Sequence, residues 1–153
     1  HLGVDFEAVR VGLSAYSPTN NRSEIIKSNG IYLFLDAYNA NPSSMKESIN
    51  TFAGFESNHK KLILGDMLEL GRESIKFHRL LLQNTSESEW KEVFLVGQCF
   101  SKLEMEFPKY QFFESTEQAD DVISKSISQG DYVLVKGSRG LALEKLSFIQ
   151  KLK

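Results

Sequence analysis

Short apolar runs alternate with stretches of helical spacing along most of this chain. Ile31-Tyr32-Leu33-Phe34-Leu35, Leu62-Ile63-Leu64, Val93-Phe94-Leu95-Val96 and Tyr132-Val133-Leu134-Val135 are too short for helices and too continuous for half-exposed strands. Such runs mark strands buried on both faces, as in a parallel sheet covered by helices. Between them, Met45, Ile49 and Phe52 share one helical face, and Ile75, His78, Leu81 and Leu82 another. Ala119, Val122, Ile123 and Ile127 belong to a third helix, opened by a Ser115/Gln118 capping box. Asn41 before Pro42 reads as the cap and first turn of the helix that follows. A helix through Phe100 and Leu103 is expected after Gly97, and a final one with Leu143, Leu146 and Ile149 after Gly140. Tyr110-Gln111-Phe112-Phe113 reads as a weaker, peripheral strand.

Near the N-terminus, Asn29-Gly30 accepts the positive φ angles of a type I′ turn and predicts an antiparallel hairpin. The expected fold is α/β: a Rossmann-like, doubly wound, mostly parallel sheet with one antiparallel edge strand from that hairpin. Ahead of it, Leu2, Phe6, Val9 and Leu13 have helical spacing, which Pro18-Thr19-Asn20-Asn21 interrupts. Residues 1–20 therefore read as the tail of a preceding domain with its linker, and 21–153 as the domain proper. Starting at His1 with an amphipathic segment under way, the sequence reads as a piece cut from something longer.

At 153 residues the chain suffices for one domain with a full core. A net charge of −2 provides no global field for nucleic acid or a membrane surface, so an anionic ligand must be met locally. The single Cys99 excludes an internal disulfide and a cysteine zinc cluster, and fits a reducing cytoplasm. Three histidines argue against a histidine-based metal site. There is neither an apolar run of membrane-spanning length nor a signal-peptide pattern.

In a doubly wound sheet the loops after the strands gather along one edge, where such folds bind ligands. Here that edge collects Asp36 to Asn41, Gly65 to Gly71, Gly97-Gln98 and Lys136 to Gly140. Asp36-Ala37-Tyr38-Asn39-Ala40-Asn41-Pro42 offers a carboxylate, a phenol and two amides without a glycine-rich phosphate loop. That set suits the sugar and base of a nucleotide better than its phosphates. Between Gly65 and Gly71, either Met67 and Leu68 fold back onto the core, or Asp66 or Glu69 meets an ammonium group. His78 reads as a satisfied, partly buried side chain. Lys136-Gly137-Ser138-Arg139-Gly140 places cations, a hydroxyl and backbone N–H groups at an expected helix start, a carboxylate or phosphate site. Arg22, taken alone, is a solvated linker charge. A rival reading takes Asp36, Asp66 and Lys136 as the acids and lysine of a phosphoacceptor, receiver-like signalling domain. Against it, the first strand ends in one acid rather than an adjacent pair, and Gly97 stands where that class carries a hydroxyl.

Asp36 to Met45, Leu64 to Gly71 with His78, and Val135 to Arg139, in this order, resemble the C-terminal domain of the Mur ligases. The resemblance runs from about Arg22 to the end of the chain. It is most specific in Tyr-Asn-Ala-Asn-Pro and Gly-Asp-Met-Leu-Glu-Leu-Gly, which point to the branch that joins D-alanyl-D-alanine to UDP-MurNAc-tripeptide. The resemblance implies an ATP-dependent amide ligase of peptidoglycan precursor synthesis, cytoplasmic and monomeric. Residues 1 to about 19 resemble the end of the family's central ATPase domain, which supplies the P-loop and the Mg2+ ligands; no P-loop occurs in this sequence. By the same resemblance, Arg22 and Asp36 hold the ribose hydroxyls, and Tyr38 and Asn39 lie near the adenine. Asn41, Asp66, Ser138 and Arg139 face the dipeptide, Asp66 near its ammonium group, Ser138 and Arg139 near its carboxylate. No catalytic acid, base or metal ligand is expected in this chain, which alone should be inactive.

Overall fold

The computed structural model of the protein describes residues 24–153 and begins in a two-residue hairpin. Strands β1 (Glu24–Ser28) and β2 (Ile31–Asp36) pair antiparallel with Ser28 opposite Ile31, and Asn29 and Gly30 take φ of 51° and 74°. Those left-handed angles give the turn a twist that matches the strands, as expected of Asn-Gly. The expected helix over Leu2 to Leu13, the break at Pro18 and the linker Arg22 lie outside the described residues.

The chain then alternates: α1 (Pro42–Ala53), β3 (Lys60–Gly65), α2 (Ser74–Thr85), β4 (Glu92–Val96), a short α3 (Gln98–Ser101), β5 (Gln111–Phe113), α4 (Thr116–Ser126), β6 (Tyr132–Lys136) and α5 (Ser147–Leu152). The six strands form one sheet in the order β1-β2-β6-β3-β4-β5, parallel except for the hairpin. This is the doubly wound architecture expected from the apolar runs, with β5 at the edge.

Alternation along each strand sorts the core into two layers. Leu62, Leu64, Leu95 and Leu134 face Met45, Ile49 and Phe52 of α1 and Leu81 and Leu82 of α2. Leu33, Leu35, Ile63, Phe94, Val133 and Val135 face Ala119 and Ile123 of α4 and Phe148 and Ile149 of α5. Each fully buried aliphatic or aromatic side chain in these layers contributes about 1.5–3 kcal/mol. None of the described helices is long and apolar enough to cross a membrane.

Two expected helices differ from the sequence reading. The segment after Gly97 makes only one turn of α-helix before a 3₁₀ turn at Glu104–Glu106. The segment after Gly140 makes two 3₁₀ turns, Arg139–Leu141 and Leu143–Lys145, separated by Ala142 at φ 51°, and α5 starts only at Ser147. A left-handed residue cannot continue an α-helix, so Leu143 and Leu146 reach the core from turns.

Two carboxylates brace this framework away from the strand ends described below. Asp120 accepts from Ser147 N at 2.7 Å and from Ser124 Oγ at 3.0 Å, tying α4 to the start of α5. Asp131 accepts from Lys91 Nζ and Ser128 N, each at 2.9 Å, and lies 3.0 Å from Lys61 Nζ. Burial pushes both carboxyls up, but the hydrogen bonds, from Ser147 to Asp120 and from Lys91, Ser128 and Lys61 to Asp131, outweigh it and leave both lowered. A lowered carboxyl binds fewer protons folded than unfolded, so its stabilisation is complete above the unfolded value of about 3.9. It is lost as pH falls through the folded value. The urea midpoint should therefore hold steady from pH 7 to about 5 and drop below about 4. Asp120→Asn should shallow that drop; an identical acid profile in the variant would count against this origin.

Candidate functional site

The carboxyl ends of β2, β6, β3 and β4 lie side by side, because β6 is inserted between β2 and β3. In that register the last residue of β2, Asp36, faces the last residue of β6, Lys136. Lys136 is buried at 2 % exposure and its ammonium donates to the Asp36 carboxylate. The lysine expected to meet an anion is thus committed to orienting the acid. Charge is balanced within the pair, as burial of the ammonium demands.

Beyond Asp36 the loop is anchored by small apolar residues and presents polar ones. Ala37 and Ala40 are buried, while Tyr38 is half-buried and Asn39 exposed. The Arg139 guanidinium lies 5.3 Å from the centre of the Tyr38 ring, a cation–π contact that joins the β2 and β6 loops. Asn39 folds over its own backbone, its Oδ1 accepting from Ala40 N at 2.8 Å. Asn41 caps α1: its Oδ1 accepts from Ser44 N and Ser43 Oγ, each at 2.9 Å, while Asn41 N donates back to Ser44 Oγ at 3.2 Å.

The loop after β3 is more deeply integrated than the sequence suggests. Gly65 and Gly137 bring β3 and β6 into direct backbone contact, and a Cβ on Gly137 would lie 2.8 Å from Gly65 Cα. Asp66 is 2 % exposed and turns inward, accepting from Cys99 N at 2.8 Å and Phe100 N at 3.0 Å. Its carbonyl accepts from Ser138 N at 3.1 Å, and its own N–H donates to Val96 O at 2.9 Å. Met67 is buried, but Leu68 is half-exposed, so only the first of the two apolar residues folds back onto the core. Leu68 N donates to Ser138 Oγ at 3.0 Å. Glu69 is exposed.

Both oxygens of Asp66 bind backbone amides at the start of α3, a bracing role that the sequence reading did not include. Two other expectations are corrected by this geometry. The segment from Lys136 to Gly140 does not start an α-helix, because it leads into a three-residue 3₁₀ turn and Ser138 N is already bonded to Asp66 O. The phosphoacceptor reading fails too, since it needs the acids and lysine open to a phosphoryl donor. Here Asp66 is enclosed and Lys136 is buried against Asp36.

His78 is fully buried, as its place on the apolar face of α2 implies. Its Nε2 accepts from Met67 N at 3.0 Å, and Nδ1 lies 2.7 Å from Ser74 O. Among the described residues, ligand atoms of Asp66, His78 and Cys99 lie within 4.8 Å of one another. They do not suit a cation: amide N–H groups occupy the Asp66 oxygens and Nε2, and the Ser74 hydroxyl donates to Cys99 Sγ. The cluster is a hydrogen-bond hub, and the Lys136 and Asp66 partnerships in it and beside it were not foreseeable from spacing. Gly97, between a strand and Cys99, is the one local hint that a bulky group sits against the backbone there.

Comparisons with known proteins agree with this architecture. Residues 21–139 match the family described as Mur ligase, glutamate ligase domain. The UDP-N-acetylmuramoyl-tripeptide--D-alanyl-D-alanine ligase of Bacillus subtilis (strain 168) is 35% identical over 154 residues, covering 95% of this chain and 34% of that protein. A solved UDP-N-acetylmuramoylalanyl-D-glutamyl-2,6-diaminopimelate--D-alanyl-D-alanyl ligase from Acinetobacter baumannii superposes with a TM-score of 0.82 at 27% identity, covering 98% of this chain and 33% of that one. The MurF ligase of Thermotoga maritima, solved in complex with ADP, gives 0.72 at 25% identity, covering 92% and 33%. The chain spans about a third of the length of the curated relatives it matches. With a family match over most of its residues and the same fold in these ligases, the chain belongs to the Mur ligase family, in that family's C-terminal domain.

Proposed function

We propose that residues 21–153 are the C-terminal lid of an ATP-dependent ligase that adds D-Ala-D-Ala to UDP-MurNAc-tripeptide in cytoplasmic peptidoglycan precursor synthesis. Residues 1–20 are then the tail and linker of the central ATPase domain. The observation that carries this reading is the edge where Asp36, set by Lys136, stands beside Tyr38, Arg139 and Ser138. The names of the relatives and the ADP complex of one of them support it.

In this reading the lid closes over a nucleotide held by the central domain. Arg22 and Asp36 grip the ribose hydroxyls, with Tyr38 and Asn39 against the adenine. Lys136 keeps the Asp36 carboxylate aimed, so its orientation is settled before ATP arrives. Asn41 uses its side-chain oxygen for the helix cap and offers its amide NH2 to the dipeptide, while Ser138 and Arg139 take the dipeptide carboxylate. Mg2+, held by residues of the central domain rather than of this chain, would offset phosphate charge. The substrate carboxylate is phosphorylated, the dipeptide amine attacks the acyl phosphate, and the tetrahedral intermediate expels phosphate. This domain contributes by positioning the amine and excluding water, an effect of orientation rather than of acid–base chemistry. The enzyme acts as a monomer, and this domain alone turns nothing over.

Asp36→Ala in the intact ligase tests the nucleotide part. A charged hydrogen bond to a hydroxyl is worth about 1.5–3 kcal/mol, so ATP affinity by calorimetry should fall about tenfold or more. Unchanged ATP affinity and turnover would remove Asp36 from the ribose site.

A further inference from the structure

Ser138 Oγ and His78 Nε2 accept from two adjacent amides of the loop after β3. Leu68 N–H donates to that oxygen, and the preceding amide, Met67 N–H, donates to His78 Nε2. Two successive amides are thus held from opposite sides, one by α2 and one by the β6 loop. The imidazole has a defined tautomer, because Ser74 O at 2.7 Å can only accept, which leaves the proton on Nδ1 and the lone pair on Nε2. The ring is 0 % exposed and packs edge-on against Phe100, with centroids 4.6 Å apart and planes at 81°. Its titratable neighbours are Asp66, whose Oδ1 lies 3.4 Å from Nε2, and Cys99 of α3.

We propose that His78 is a positioning residue for acceptor-substrate binding, fixing the Ser138 hydroxyl through the backbone of Met67 and Leu68. The proposal rests on the reading of Ser138 as a ligand of the dipeptide carboxylate. A hydroxyl that accepts from Leu68 N–H directs its own proton elsewhere, and a carboxylate beyond it receives that proton as a hydrogen bond. When the Met67 amide loses its acceptor, the loop shifts to find another, and the hydroxyl moves with it.

The test uses steady-state kinetics of the intact ligase with D-Ala-D-Ala and ATP varied separately. His78→Gln places an amide oxygen near the position of Nε2, whereas His78→Asn reaches only the position of Nδ1 and leaves Met67 N–H unmatched. H78N should raise KM for the dipeptide about tenfold while KM for ATP stays within about twofold. H78Q should return the dipeptide KM close to that of the unmodified enzyme. Ser138→Ala should raise the dipeptide KM by itself, and adding H78N to it should change little more. Additive effects, or equal losses for both substrates, would overturn the positioning role. If S138A leaves the dipeptide KM unchanged, the Ser138 reading fails whatever His78 does. Should H78N not fold, His78→Leu, which keeps the apolar packing but offers Met67 N–H no acceptor, takes its place and should show the same rise in dipeptide KM with KM for ATP within about twofold. Equal losses for both substrates in that variant would overturn the proposal.

Discussion

Gly97→Ala is expected to cost about 3–5 kcal/mol of stability, from backbone strain and the loss of charge-assisted hydrogen bonds together. Gly97 sits at φ 131° and ψ 161°, a region only glycine occupies without strain. A Cβ there would also fall inside the Asp66 carboxylate. Asp66 would have to leave Cys99 N and Phe100 N, stranding two amides at the start of α3. Gly71 supplies the control: it too has positive φ, 55°, but a Cβ there meets nothing within 4 Å, so Gly71→Ala carries strain alone, about 1 kcal/mol. Chemical denaturation of both variants separates the terms. Equal losses would mean that the Asp66 carboxylate yields at no cost.

Asp131→Ala should be comparably damaging, by about 3–5 kcal/mol, at the opposite end of the sheet. Asp131 is fully buried among Lys91, Ser128 N and Lys61, and Lys61 is itself only 1 % exposed. Removing the carboxylate leaves Lys61 with Glu92 at 2.7 Å and the carbonyl of Ser126, one acid for an enclosed ammonium that had two. The pair Lys125–Asp121 on α4 makes the contrast, because both side chains are about three-quarters exposed and Asp121→Ala should cost well under about 1 kcal/mol. Urea midpoints measure both, and similar losses would show that the buried cluster is solvated in solution.

The parts of this fold that local chemistry dictates were legible along the chain. Asn29-Gly30 identifies the hairpin because few residue pairs tolerate both left-handed angles. The continuous apolar runs identify doubly covered strands, and Asn41-Pro42 marks where α1 begins. Legibility ends where distant segments meet. Lys136 looked like part of an anion site because nothing nearby in sequence reveals that β6 lies next to β2, where Asp36 claims it. Asp66 stands among loop residues in the sequence, and nothing near it shows that its carboxylate meets amides more than thirty positions away. The final helix looked longer because Leu143, Leu146 and Ile149 keep helical spacing even though Ala142 breaks the backbone. Side-chain periodicity reports burial, and burial can be reached from a turn as well as from a helix.

The insertion of β6 between β2 and β3 also governs when during folding the Asp36–Lys136 pair can exist. Asp36 and Lys136 are separated by 100 residues, and the strand that joins them is the last of the six to leave the ribosome. Until it docks, β2 and β3 have no common neighbour and the sheet is two separate pieces. Closing so long a loop is a late, entropically costly event. A nascent or truncated chain lacking β6 therefore has Asp36 without the ammonium of Lys136, and formation of that pair reports completion of the whole sheet.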